Sequence, residues 1–207
     1  MSAVNSFSLP GVLQQMNKHE FPNFREERVC PWWLIWTFDN PFRRFFQDPG
    51  TIIGPYVREG MVVADIGCGM GYFSIALAKI VGKQGLVFAV DLQQKMLEFL
   101  NRRARKAGVL DRIRSINAKD DDIMLREPVD FVLAFWMVHE VKDIPLFFRH
   151  VHSVLKKSGK FLYVEPKMHV PDRRFQEILR HARQGGFQIN DALQIRFSRA
   201  VILSKEG

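Results

Sequence analysis

Cysteine is scarce in this chain. Cys30 and Cys68 are its two thiols. That is too few for a disulfide framework and suits a reducing compartment. Long apolar runs are also missing. The WWLIWTF run at 32–38 is far shorter than the roughly 18 residues a membrane-crossing helix needs. The opening MSAVNSFSLPGVLQQ has neither the basic start nor the apolar stretch of a secretory leader. These absences predict a soluble, cytoplasmic protein with no membrane span. There is no internal repeat and no low-complexity segment. A phosphate loop ending in Gly-Lys-Ser/Thr is absent as well. Histidines at metal-binding spacing are missing: His150 and His152 stand two apart on a predicted helix and face different ways. No metal site is expected.

What is present is enough apolar material for one sizeable core. The chain has 207 residues, 47 % of them hydrophobic and 25 % charged. The formal net charge is +8. Such a balance fits a solvated basic surface, and also a nucleic-acid or anionic-membrane partner. The densest basic run, NRRARKAGVLDRIR at 101–114, lacks interleaved aromatic rings for base stacking. It reads as the polar face and end of a helix, where cations suit the negative end of the dipole.

From Met61 onward, apolar strands alternate with helical segments. Strands are predicted at 61–66, 86–92, 112–118, 129–136 and 159–165. Helices are predicted at 72–81, 93–107, 144–156 and 171–184. Two further strands, 186–190 and 193–205, close the chain. A βαβ series implies a parallel sheet with helices on both faces. The last two strands have about three residues between them, so they must pair antiparallel. The expectation is an α/β, Rossmann-like, seven-stranded, mostly parallel sheet with a reversed last strand. Residues 1–54 differ: Trp32, Trp33 and Trp36 crowd there among prolines and phenylalanines. PFRRFFQDP at 41–49 reads as a short amphipathic helix. A segment this small cannot build its own core. It is expected to act as a lid or brace on a domain spanning 55–207.

The chemistry centres on ADIGCGMGYF, residues 64–73. Its spacing is G-x-G-x-G, whereas the dinucleotide fingerprint is G-x-G-x-x-G; the sixth position here is Tyr72. Asp65 stands immediately before the turn, where it would repel a pyrophosphate and attract an ammonium group. Asp91 ends the second strand, where an acid commonly takes both ribose hydroxyls. A ligand with ribose, positive charge and no phosphate is S-adenosylmethionine (SAM).

With these residues in view, the sequence resembles the class I SAM-dependent methyltransferases. VVADIGCGMGYFSIALA is similar to their first motif and VFAVDL to their second. VDFVLAFWMVHEV resembles the strand lining the active site, and LKKSGKFLYVEP the turn and strand after it. The resemblance spans roughly residues 55–205. It implies a seven-stranded sheet with the last strand reversed, SAM as cofactor and S-adenosylhomocysteine as product. By position, Asp65 would face the methionine amino group, directly or through water. The backbone at Gly67, Cys68, Gly69 and Gly71 would approach the methionine part. Asp91 would hold the ribose, Leu92 would pack on adenine, and Phe135 would border the cofactor. Relatives usually place one acid beside the adenine amino group. Here AKDDDIM offers Asp120 or Asp121.

Methyl transfer from a sulfonium is an in-line displacement that mainly requires alignment. A hydroxyl or carbon acid also needs a base within about 3 Å. The candidates are His139, Glu140 and Glu165, at the carboxyl ends of the fourth and fifth strands. His139 titrates near neutrality and can act as base, or it can simply bond nearby backbone. The signature of amide and adenine methyltransferases, Asn/Asp-Pro-Pro-Tyr/Phe, is missing after the fourth strand. Trp32, Trp33, Trp36 and Phe38 are expected to line an apolar or aromatic acceptor pocket. The resemblance is to small-molecule methyltransferases. An RNA or protein methyltransferase, and a non-catalytic SAM-binding protein, stand as alternatives.

Overall fold

The structure, a computed structural model, describes residues 47–206. Residues 1–46 lie outside the described part, and with them most of the expected lid or brace, Cys30, and the pocket candidates Trp32, Trp33, Trp36 and Phe38.

The described chain begins at helix α1 (Pro49–Ile53), capped by Asp48, whose side chain accepts the Thr51 N–H. Ile52 and Ile53 are buried in the same core as the next helix, so packing is continuous across residue 54. Then follow β1 (Val62–Ile66), α2 (Tyr72–Val81), β2 (Leu86–Asp91), α3 (Gln94–Lys106) and β3 (Ile113–Asn117). After these come β4 (Val129–Phe135), α4 (Ile144–Val154), β5 (Leu155–Pro166), α5 (Asp172–Gln184), β6 (Phe187–Leu193) and β7 (Ser198–Lys205). The strands form one seven-stranded sheet in the order β3-β2-β1-β4-β5-β7-β6. The pairs among β1 to β5 are parallel, and β7 runs antiparallel to both β5 and β6. The expected mostly parallel sheet with a reversed last strand is therefore present.

The strands most covered by helices read as nearly continuous apolar runs because both faces are buried. On one face, Phe73, Leu77, Leu97 and Leu100 of α2 and α3 pack on Val63, Val87, Ala89 and Leu133. On the other, Phe147, Phe148, Phe175 and Ile178 of α4 and α5 pack on Val132, Phe161 and Tyr163. Each such buried large side chain contributes about 1.5–3 kcal/mol relative to exposure.

Two boundaries differ from the sequence expectation. Helix α4 stops at Val154, and Leu155 already pairs with Val129. An irregularity in that register carries the chain on to Lys160 opposite Phe131. Burial of Leu155 in an extended conformation overrides its helical periodicity. In the final hairpin, β6 continues to Leu193 and the turn falls at 194–197. Ile195 is buried there, the Ser198 N–H bonds its carbonyl, and Phe197 adopts φ 61°.

Candidate active site

Strand order reverses between β1 and β4, and in open α/β sheets the crevice beyond the carboxyl ends at such a point is where ligands bind. The glycine turn leaves β1 at this place. Gly67, Gly69 and Gly71 have φ of 71°, 52° and 84°, a region that side chains rarely adopt. The three are not equivalent. A Cβ on Gly67 would lie 2.6 Å from Cγ of Met137, and one on Gly71 would lie 2.8 Å from Cγ of Leu100. A Cβ on Gly69 would meet nothing within 4 Å. Gly67 and Gly71 thus serve internal packing, while Gly69 faces open space at the mouth of the turn.

Asp91 fastens the turn to the second strand. Its Oδ2 accepts the Gly69 N–H at 2.9 Å, and its Oδ1 accepts the Gln93 N–H at 2.9 Å. Burial pushes its carboxyl above the ordinary carboxylate value, and the two backbone donors partly offset that. Asp65 is 2 % exposed. Its Oδ2 accepts from the Ser74 hydroxyl at 2.6 Å, so it is a buried, hydrogen-bonded carboxyl group behind the turn. Cys68 is also buried, and its thiol is held well up, first by burial and then by the charges of Asp91 and Asp65. An un-ionised thiol is a poor nucleophile.

The adenine side is more open. Leu92 is 40 % exposed. Its carbonyl accepts from the Asn117 side chain at 2.9 Å, and so does that of Asp91 at 3.1 Å. Asn117 was not singled out from sequence; an amide at the end of a weak strand gives no local signal. Asp120 pairs with Lys142. Asp121 is exposed. Asp122 pairs with Arg126, which lowers its carboxyl to about 2.

The other half of the site sits on β4 and β5. Phe135 is buried, with its ring 4.5 Å from that of Phe73 and 5.4 Å from that of Trp136. Trp136 leaves the strand at φ 62°, an outlier for so bulky a residue. Its N–H is bonded to the Val164 carbonyl, and its Nε1–H donates to the Ser198 hydroxyl at 2.9 Å. The kink turns the next residues over the glycine turn, with Met137 against Gly67. A short 3-10 turn, Val138–Glu140, then presents His139.

The sequence candidates His139, Glu140 and Glu165 come together here. Glu165 has no solvent exposure. Its Oε2 is 2.6 Å from His139 Nδ1, and its Oε1 accepts the His139 backbone N–H at 2.9 Å and the Tyr163 hydroxyl at 3.2 Å. On the other side of the ring, Nε2 is 3.8 Å from Glu140 Oε1. Burial alone would lower the imidazole pKa. The hydrogen bond and charge of Glu165, with the charge of Glu140, outweigh it and raise the pKa above its ordinary value. Tyr163 is driven far up by burial and by Glu165, so it stays a neutral donor. Tyr163 was also missed in the sequence, where it reads only as an apolar strand residue.

The residues fit a ligand with an ammonium group and ribose hydroxyls. Two carboxylates flank the turn, the space above Gly69 is open, and a cation at the turn, Arg103, is bonded to the Met70 carbonyl at 3.1 Å. A pyrophosphate would face both acids. Among the described residues, no group of three or more side chains is placed to hold a metal ion.

Comparison with known proteins points the same way. Residues 63–159 match the family described as "Methyltransferase domain". A probable cobalt-precorrin-6B C(15)-methyltransferase (decarboxylating) of Pyrobaculum calidifontis is 36 % identical over 72 residues, covering 35 % of this chain and 37 % of that protein. A demethylmenaquinone methyltransferase of Lactobacillus johnsonii is 32 % identical over 108 residues, covering 50 % of this chain and 43 % of that one. The chain thus spans less than half the length of these curated relatives. Among solved structures, a SAM-dependent methyltransferase from Aquifex aeolicus superposes with a TM-score of 0.76 at 22 % identity, covering 84 % of this chain and 98 % of that one.

Proposed function

We propose that this chain, whose residues 63–159 match a methyltransferase domain, is a class I, SAM-dependent enzyme that methylates a small apolar or aromatic molecule at a position that must lose a proton. The observation that carries this reading is the His139–Glu165 pair at the carboxyl ends of β4 and β5. A soft nucleophile such as a thiolate needs no such base. A hydroxyl or an acidic carbon does.

The cofactor, SAM, supplies an activated methyl group on a sulfonium. Asp91 is the acid for the ribose hydroxyls, with its carboxylate already oriented by two backbone donors. Asp65 contributes negative charge behind the turn for the ammonium group. Gly69 leaves the backbone accessible, and Leu92 offers an apolar surface to adenine. Lys142 engages Asp120, which leaves Asp121 as the more available acid for the adenine amino group.

On the acceptor side, Glu165 takes the Nδ1–H of His139, leaving Nε2 with its lone pair. The proton of the acceptor's O–H or C–H would pass to Nε2; the freed electron pair would form the new bond to the methyl carbon as the methyl–sulfur bond breaks, its electrons staying on sulfur so that S-adenosylhomocysteine leaves as a neutral thioether. Glu140 lies near Nε2 and favours the imidazolium that results. Tyr163 and the His139 backbone N–H hold Glu165 in place. The relative named as acting on demethylmenaquinone supports a small acceptor of this kind. Trp32, Trp33, Trp36 and Phe38 remain the proposed apolar lining.

The test has two stages. Calorimetric titration of SAM, S-adenosylhomocysteine and NAD into the full chain should show binding of the first two alone. A panel of phenols, quinols, carbon acids and thiols should then give methyl transfer to proton-bearing acceptors. The His139→Ala variant should bind SAM normally and turn over about 10²- to 10⁴-fold more slowly. Near-normal turnover in that variant would sink the base.

A further inference from the structure

Two of the large apolar side chains exposed among the described residues stand together at one edge. Met168 is 88 % exposed and Phe197 is 52 % exposed. They are distant in sequence, but the Lys167 N–H donates to the Phe197 carbonyl at 2.9 Å. Single exposed apolar residues are ordinary; an adjacent pair on loop tips is more informative. Their surroundings are basic. Lys167 and His169 flank Met168 in sequence and Arg196 precedes Phe197, all exposed; Arg173, in the first turn of α5, is exposed too, and the Arg196 guanidinium lies 5.1 Å over the Phe197 ring. The acid at the start of α5, Asp172, is engaged by Arg199 at 3.3 Å.

We propose that this edge docks on an anionic lipid bilayer. Met168 and Phe197 would enter the boundary between headgroups and acyl chains, and Lys167, Arg173 and Arg196 would meet the anionic headgroups. A single-stranded nucleic acid would ask instead for open aromatic faces along a basic groove. Here one apolar tip is a thioether that cannot stack, and the Phe197 ring carries Arg196. No helix among the described residues is long and apolar enough to cross a membrane, so the contact is peripheral.

The edge adjoins the active site. Lys167 follows Glu165 by two residues, and Ser198, next to Phe197, accepts the Trp136 indole N–H at 2.9 Å. An apolar acceptor dissolved in the bilayer would reach His139 with little exposure to water. That consequence rests on the function proposed above; the lipid contact does not.

The full chain would be floated with vesicles of phosphatidylcholine, and separately with phosphatidylcholine mixed with phosphatidylglycerol. Binding is expected to the mixed vesicles and to weaken as salt rises. The double variant Met168→Ser/Phe197→Asn should bind about tenfold more weakly, with its circular dichroism and SAM affinity unchanged. Asparagine is chosen because Phe197 has φ 61°. A second variant, Lys167→Glu/Arg196→Glu, should lose binding chiefly at low salt. Absence of vesicle binding would overturn the proposal. So would equal binding to neutral vesicles, or unchanged binding by both variants. Capture of a short RNA through these residues, with vesicles ignored, would overturn it too.

Discussion

His139 Nδ1 and Glu165 Oε2 stand 2.6 Å apart, and the carboxylate is wholly buried. The pair makes the imidazole more basic than its ordinary value of 6.5. As the proposed base, His139 must be neutral, so turnover should rise as pH climbs through that raised pKa. Glu165→Gln removes the charge that raises it, so the rising limb of the rate–pH profile should move to lower pH and kcat should fall. A profile that keeps its position in Glu165→Gln would refute the coupling.

The same pair makes a prediction about folding. A histidine whose folded pKa is raised adds stability that is fully present below the unfolded value of about 6.5 and is lost as pH rises through the folded value. Thermal unfolding of the wild type should therefore decline across that window. In His139→Gln the decline should flatten, which melting curves across a pH series would reveal.

The three turn glycines should separate by phenotype. Gly67→Ala and Gly71→Ala force a Cβ against Met137 and Leu100, so they should destabilise the fold by about 1–3 kcal/mol or more. Gly69→Ala meets no neighbour; beyond the strain at its positive φ, its main effect should be on SAM affinity. Denaturant unfolding and calorimetry on the three variants would test this. Equal affinity losses with equal stability losses would contradict it.

Asp91→Ala should weaken SAM binding and also free the Gly69 and Gln93 N–H groups. Because burial raises the Asp91 pKa, protonation should begin to weaken binding at a pH above the ordinary carboxylate value of 3.8. Affinity measured down a pH series should fall earlier than an unshifted carboxylate would predict. Asp91→Asn should largely remove that pH dependence.

Ser74→Ala removes the hydroxyl that donates to buried Asp65 at 2.6 Å. The loss should be about 1–3 kcal/mol in chemical denaturation. An unchanged midpoint would mean that other partners of Asp65 already satisfy its charge.

Much of this protein was readable from local pattern. Strand and helix order follows from apolar periodicity, and the glycine turn with Asp65 and Asp91 follows from motif spacing, because both are encoded by neighbours in sequence. What was illegible depends on contacts between distant segments. Asn117 matters because β3 lies beside β2. Tyr163 matters because the carboxylate its hydroxyl reaches, Glu165 on the same strand, is the one bonded to His139 from β4's end, 26 residues away in sequence. The end of α4 moved because Val129 pairs with Leu155.

The sequence by itself determined the α/β alternation, the reversed last strand and the residue types of the glycine turn proposed to hold the cofactor. Those depend on backbone propensity, connection length and residue type. Only tertiary structure decided that β7 inserts between β5 and β6, since strand order is set by which edges pair. It alone sorted the glycines into two that pack and one that opens outward. It also joined His139 to Glu165, because the Trp136 kink and the parallel pairing of β4 with β5 carry two separate stretches of chain to one carboxyl edge.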